Sequence, residues 1–455
     1  MIFENTLHSL LKTYRRGCLK SKLLTIIIVM LTFLCCSRST NSNSANVHVK
    51  KNGDSYELYR NGKPFVIKGS SGHLFFRELK EAGANTVRLY DTTNLENKLD
   101  EIHRAGLAAV VNIPIPRYTE NDTMYSNPLE VAKLSDKVRN LVYKHKNHPG
   151  LLYWILGNEI NYPDWPRGRD FIESFNLFID IVHQEDTNHP VSTAVGGFDR
   201  SKIISMNKQS SGLDLISINI FGELSTFQER KNAITLLWDG PYVFSEFGVN
   251  GPWEADKTTW MAPIEQTSTK KAEQYTQRYN DYINTINDGR CLGTLAFYWG
   301  IKQERTHTWF STFQQDGKRN EPAVMLEQIW SEKSKDYNGP KLDYILLNGR
   351  GAGESIVLQS ADTAEVQIVL PESQNSSNLS ITWEIRKENW NYDYNAVEKT
   401  PDIIPNLITE IKNLNMKFKV PLESGPYRVF LKIEDENYFA TANIPFYALN
   451  ATDGI

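Results

Sequence analysis

Leu151-Leu-Tyr-Trp-Ile-Leu-Gly-Asn-Glu159 is an apolar run that ends in a carboxylate, and Pro241-Tyr-Val-Phe-Ser-Glu246-Phe-Gly repeats the arrangement. A short continuous apolar run between turn signals reads as a strand covered on both faces. A glutamate that ends such a strand projects beyond the sheet into a cleft, where burial tunes its acidity.

Working outward from these two runs, strand-like segments alternate with helical patterns. Strands are predicted over 65–68, 86–89, 108–113, 151–156, 191–194, 215–218, 242–245 and 292–298. Helices are predicted near 73–82, 94–105, 128–147, 166–186, 227–238 and 268–289, with a short, weak one near 200–208. Eight strands separated by helices over roughly 270 residues match the size and order of a (β/α)8 TIM barrel. An open doubly wound sheet is the rival, but no Gly-rich phosphate turn follows any strand. Ahead of the barrel, Asn52-Gly53 and Asn61-Gly62 punctuate alternating segments, which predicts a short N-terminal β hairpin. Beyond Asn338-Gly-Pro340 the pattern becomes period-two, as in Glu365-Val-Gln-Ile-Val-Leu and Tyr427-Arg-Val-Phe-Leu-Lys-Ile. That predicts a C-terminal immunoglobulin-like β-sandwich, a spacer or a glycan-binding module. The expected domains are a signal and tether over 1–46, a catalytic barrel with its hairpin over 47–337 and a sandwich over 338–455.

The chain has 455 residues, 40% of them hydrophobic and 11% aromatic, enough for two folded units. A net charge of −4 provides no electrostatic footprint for nucleic acid. Arg15, Arg16, Lys20 and Lys22 precede an apolar run over 23–34, followed by Cys35, Cys36 and a Ser/Asn-rich tract. The run is shorter than the roughly 20 residues a spanning helix needs. It resembles a bacterial lipoprotein signal, which implies an exported protein of the cell envelope, periplasmic or outer-membrane, touching the membrane through a lipid anchor alone. An uncleaved N-terminal anchor is the rival. Cys291 reads as a small buried hydrophobe. The nine histidines are scattered without metal-ligand spacing, so neither a metal nor a cofactor is expected.

Counting from 65–68, Glu159 ends the fourth strand and Glu246 the seventh, the end of a barrel at which catalytic groups gather. Paired carboxylates suggest cleavage of a glycosidic bond, which needs an acid and a carboxylate flanking the scissile link. Trp154-Ile-Leu-Gly-Asn158-Glu159 and Phe244-Ser-Glu246-Phe-Gly resemble the two signatures of the retaining glycoside hydrolases of clan A. The barrel of family 2, that of β-galactosidase and β-glucuronidase relatives, is the nearest pattern. Val243-Phe-Ser-Glu-Phe-Gly-Val-Asn250 is also similar to the fungal β-1,3-glucanosyltransferases, and Gly83-Ala-Asn-Thr-Val-Arg88-Leu-Tyr is similar to the second-strand motif of these families.

The resemblance implies a carbohydrate substrate, Glu159 as general acid/base and Glu246 as nucleophile. It implies that Asn158 meets the sugar 2-hydroxyl, and that Trp299 lies beneath the reactive sugar. Arg88 is expected to lower the acidity constant of Glu246 by its charge. Asn219 ends the sixth strand, where the family often has Asn-x-Tyr; Phe221 replaces that tyrosine and removes a hydrogen bond to the nucleophile. His73 after the first strand, Trp165 after the fourth and Trp253 after the seventh are further candidates for sugar contact. Hydrolysis, transfer to a sugar acceptor and non-catalytic glycan binding all remain open.

Overall fold

The computed structural model describes residues 46–121, 123–333, 336–374, 379–390 and 398–450. The lipoprotein-like segment, with Cys35 and Cys36, lies outside them. Among the described residues no helix is long and apolar enough to cross a membrane.

Three short antiparallel strands open the described chain: β1 (Val47–Asn52), β2 (Ser55–Arg60) and β3 (Lys63–Pro64). Eight parallel strands then close a barrel: β4 (Ile67–Ser71), β5 (Thr86–Leu89), β6 (Ala108–Ile113), β7 (Leu151–Asn158), β8 (Val191–Gly196), β9 (Leu215–Asn219), β10 (Tyr242–Gly248) and β11 (Cys291–Phe297). The predicted order therefore holds, with one displacement. The first barrel strand starts at Ile67 rather than at 65, because the Phe65 amide still bonds the Leu58 carbonyl at 2.8 Å and belongs to the N-terminal sheet. Val47 and Leu58 of that sheet join Ile67, Val110, Leu152 and Val243 in one apolar cluster. The sheet thus stoppers the barrel at the amino ends of its strands, opposite the end that carries Glu159 and Glu246.

Helices run over α1 (Phe76–Glu81), α2 (Leu95–Arg104), α3 (Pro128–His145), α4 (Arg169–Glu185), α5 (Arg200–Gln209), α6 (Phe227–Asn232), α7 (Ser268–Arg278) and α8 (Glu321–Ser331). In α4, Phe171, Phe175, Phe178 and Val182 fall at three- and four-residue spacing and are buried against the barrel. The short α5 holds its start through Asp199, whose side chain accepts from the Ser201 and Lys202 amides. Helix α6 stops at Asn232 and α7 gives way to a π turn over Tyr279–Ile283, so both are shorter than their patterns suggest. Helix α8, which completes the ring, has no counterpart in the sequence reading.

After the barrel come two four-stranded sheets. One is β12 (Tyr344–Leu347), β14 (Thr363–Val369), β17 (Asn415–Lys419) and β16 (Ile408–Lys412); the other is β13 (Val357–Gln359), β19 (Phe439–Leu449), β18 (Gly425–Glu434) and β15 (Ser380–Lys387). Their facing side chains, among them Val366, Phe418, Val429 and Phe446, share one core, as in a sandwich. Barrel and sandwich fall in a single compact unit. Their seam is polar and buried. The Lys271 ammonium meets Glu265 at 2.6 Å, and Glu265 also accepts from Asn443 of β19 at 2.6 Å. Arg428 of β18 pairs with Glu388 and donates to the Pro263 carbonyl at 2.8 Å. Buried charges are tolerated only when partnered, and these are.

Candidate active site

The two faces of β5 decide the centre of the site. Side chains two residues apart on a strand share a face, so Arg88 and Tyr90 both turn towards the barrel axis. Arg88 is fully buried and spends its guanidinium on partners from four other strands. Its Nε donates to Asn112 Oδ1 at 3.1 Å, and its Nη2 to Asn158 Oδ1 at 2.7 Å. Its Nη1 reaches Asn219 Oδ1 at 2.8 Å, Glu246 Oε1 at 2.9 Å and the Ser245 carbonyl at 3.2 Å. A guanidinium offers five donors in a rigid fork, which suits it to fixing several groups at once.

Asn219 carries the connection to the other glutamate. Its Nδ2 donates to Glu159 Oε1 and to Asn158 Oδ1, both at 3.0 Å, while Ser245 Oγ donates to its Oδ1 at 2.8 Å. Glu246, Arg88, Asn219 and Glu159 therefore form one hydrogen-bonded chain across the carboxyl ends of β5, β7, β9 and β10. Both bonds made by Asn158 fall on its Oδ1, which leaves its amide nitrogen to donate to a ligand.

The two carboxylates sit in different media. The Glu246 side chain is 7% exposed and that of Glu159 is 32% exposed. Burial pushes the Glu246 carboxyl up to about 7, with the nearby Glu159 adding to the rise and the Arg88 charge and Tyr90 hydroxyl opposing it. The expected lowering by Arg88 is present but outweighed, because taking a carboxylate out of water costs more than one partner returns. Glu159 has φ of +50°, a left-handed conformation that non-glycine residues rarely adopt, two residues after Gly157 at +71°. Its amide is held by the Ala194 carbonyl at 2.9 Å and its carboxylate meets Arg117 Nη2 at 2.9 Å.

Tyr90 is the residue that sequence reasoning missed. Its hydroxyl donates to Glu246 Oε1 at 2.9 Å, and its ring lies 4.6 Å from the Arg88 guanidinium. The hydrogen bond that Phe221 cannot make from the sixth strand comes instead from the second. The signal was in the quoted motif, two positions past Arg88. Phe221 is buried in an aromatic floor, 5.8 Å from Phe297 and 5.3 Å from Trp253. Arg117, after the third strand, and the Lys302–Glu304 pair, after the eighth, also went unnoticed, because loop residues follow no period. Lys302 Nζ meets Glu304 at 3.1 Å and lies 5.5 Å from the Phe297 ring.

Trp299 needs correction. It is 0% exposed, donates from Nε1 to the Phe75 carbonyl at 3.1 Å and packs on Phe313 and Trp330. It faces the outer core and offers no surface to a sugar. His73 is exposed and bonds the Tyr298 hydroxyl at 2.5 Å, so it borders the site through Tyr298 rather than through the glutamates. Trp165 and Trp253 are 74% and 51% exposed on the loops after β7 and β10. The Cys291 thiol is pushed up to about 12 by burial, which makes it a poor nucleophile. Among the described residues no group of His, Cys, Asp or Glu is placed to hold a metal ion.

No protein-family model matches the chain. A β-galactosidase of Oenococcus oeni is 27% identical over 158 residues, which cover 31% of this chain and 14% of that protein. The chain thus matches only a small part of that relative's length. β-Glucuronidase 2 of Bacteroides uniformis, in covalent complex with cyclophellitol-6-carboxylate aziridine, superposes with a TM-score of 0.47 at 14% identity, covering 89% of this chain and 48% of that one. A family 2 β-galacturonidase of Eisenbergiella tayi gives 0.49 at 16% identity, covering 64% and 55%. These superpositions are loose, and the fold rests on the chain's own strand order. With its closed eight-stranded barrel and its sequence match to β-galactosidases, the chain resembles the family 2 glycoside hydrolases of clan A.

Proposed function

We propose that this chain is a retaining β-glycosidase acting on oligo- or polysaccharides. The observation that carries the reading is the chain Glu246–Arg88–Asn219–Glu159, which ties two carboxylates of unequal burial at the ends of β7 and β10. In the first half-reaction Glu246 attacks the anomeric carbon while Glu159 gives its proton to the departing glycosidic oxygen. In the second, Glu159 takes a proton from water, whose oxygen displaces Glu246 and restores the anomeric configuration. The aglycone must displace Arg117 from Glu159 Oε2 to receive that proton. Asn158, anchored through Oδ1, presents its amide to the 2-hydroxyl. Tyr90 answers the objection raised by Phe221, and so favours catalysis over a non-catalytic glycan-binding barrel.

Export and lipid anchoring through residues 1–46 belong to the same proposal, as they place a glycan-degrading enzyme where polymers are met. The test is turnover of β-glucans, β-galactosides, β-mannans and β-glucuronides, with NMR following the anomeric proton. Retained configuration in the first product is expected, with no chains longer than the substrate. An inverted product overturns the mechanism, elongated chains turn it into transglycosylation, and binding without turnover turns it into a lectin-like role.

A further inference from the structure

The seam between barrel and sandwich reaches the cleft through one loop. Going outward from the nucleophile, Tyr90 lies 6.2 Å from the Phe297 ring, and Lys302 sits over Phe297 and pairs with Glu304. The next residue, Arg305, is tied to the sandwich segment. Its amide donates to Glu398 Oε2 at 2.7 Å, and its Nη1 to the Asn389 carbonyl at 2.6 Å. Thr400 donates to Gln303 at 2.7 Å beside it. Arg305 is held at φ +63°, a conformation that non-glycine residues rarely adopt and that persists only where the surroundings impose it.

On this support stands Trp390, the last residue of the sandwich segment before 391. Its ring is backed by the Arg305 guanidinium at 5.1 Å, and the residue is 41% exposed. A cation over one face of an indole attracts the ring and helps to fix its orientation, and Trp390 keeps part of its surface in solvent. Sugar rings carry apolar C–H faces that stack on such surfaces. Desolvation raises the carboxyl of the half-buried Glu304 against the pull of Lys302, and the charges of Glu398 and Glu159 add to the rise, in agreement with a loop that links the sandwich to the two glutamates.

We propose that the β-sandwich supplies a distal glycan subsite to the barrel's cleft, with Trp390 as the stacking platform for a sugar unit away from the scissile bond and the Gln303–Arg305 loop as its mount. The proposal rests on the glycosidase reading for its substrate class. It makes the sandwich part of the cleft rather than a spacer.

The experiment compares Trp390→Ala, Trp390→Phe and the wild-type full chain on an aryl monosaccharide glycoside and on oligosaccharides of increasing length from the polymer that is turned over. Trp390→Ala is expected to raise KM about tenfold for the longer oligosaccharides, leaving kcat and the aryl glycoside unchanged, with Trp390→Phe restoring most of the loss. Equal kinetics at every length overturn the proposal, as does a kcat loss that ignores length, which marks Trp390 as a mere prop of the loop. If the wild type turns over nothing, binding of β-glucan and β-mannan oligosaccharides of increasing length by calorimetry separates the two ideas. Loss of binding in Trp390→Ala then keeps the subsite while the glycosidase reading falls, and unchanged binding sinks both.

Discussion

Glu159 and Glu246 end two strands of the same barrel, yet their surroundings differ in kind. Around Glu246 the space is closed, with Arg88 and Tyr90 on its carboxylate, and burial is the largest influence on its acidity. Around Glu159 the space is open, the backbone is left-handed, and the contacts are Arg117 and the Asn219 amide. One carboxyl group is immobilised from several sides, which suits the nucleophile of the proposed mechanism. The other stands at the edge of solvent, which suits the proposed exchange of a proton with an aglycone and then with water. Two residues of one type thus occupy two distinct environments.

The comparison breaks first on Glu246→Gln. Turnover should fall by at least about 1,000-fold for every aglycone, because no group replaces the nucleophile. The same variant tests the closed environment through stability. A carboxyl raised from 4.5 to about 7 binds its proton more tightly in the folded state. The stability linked to that proton is complete below pH 4.5 and is lost as pH rises through 7, a span worth about 3 kcal/mol at most. Glu246→Gln lacks this loss, so its unfolding midpoint relative to wild type should rise from pH 5 to pH 8. A constant difference would mean that the carboxyl is not held up by burial.

Glu159→Gln should behave in the opposite way with respect to the leaving group. With an alkyl or sugar aglycone, which needs a proton, the loss of acid assistance should cost about 100- to 10,000-fold. With a dinitrophenyl aglycone, which needs none, the first step should be nearly untouched, and burst kinetics should show the glycosyl-enzyme accumulating. Equal losses for both aglycones would erase the distinction between the two sites.

Tyr90→Phe removes one hydrogen bond to a charged group, worth about 1.5–3 kcal/mol, and should lower kcat/KM by about 10- to 100-fold. Since that bond favours the ionised nucleophile, the acid limb of the kcat/KM profile, set near pH 7 in the wild type, should move to higher pH. A drop with no movement of the limb would make Tyr90 a packing residue. The smallest effect belongs to Gly196→Ala. A Cβ there would meet the Glu159 carboxyl carbon at 3.1 Å and Cγ at 3.3 Å. A loss of up to about tenfold in kcat, confined to aglycones that need a proton, is expected from so slight a displacement.

Much of the fold was legible because most barrel strands are short apolar-rich runs bounded by turns, and the sandwich strands alternate with period two. Helix α8 was not, since it follows a long strand-eight loop and its apolar positions read equally well as loop packing. The strand count also located Glu159, Glu246, Arg88, Asn158 and Asn219, because position at a strand end is a property of the chain. It misjudged Trp299, whose place in Phe297-Tyr-Trp-Gly300 says nothing about which way the ring turns; the Phe75 carbonyl and Trp330, brought in from elsewhere, draw it into the outer core.

By itself, then, the sequence determined the eight-strand order, the sandwich behind it and which strand ends carry carboxylates, all of which follow from local periodicity. Only the tertiary structure decided that Tyr90 bonds Glu246 while Phe221 packs beside it, that burial outweighs Arg88 at Glu246, and that Arg305 and Trp390 meet across a seam. These depend on contacts between residues far apart in the chain, where the balance of desolvation, charge and packing is set by neighbours that no local pattern announces.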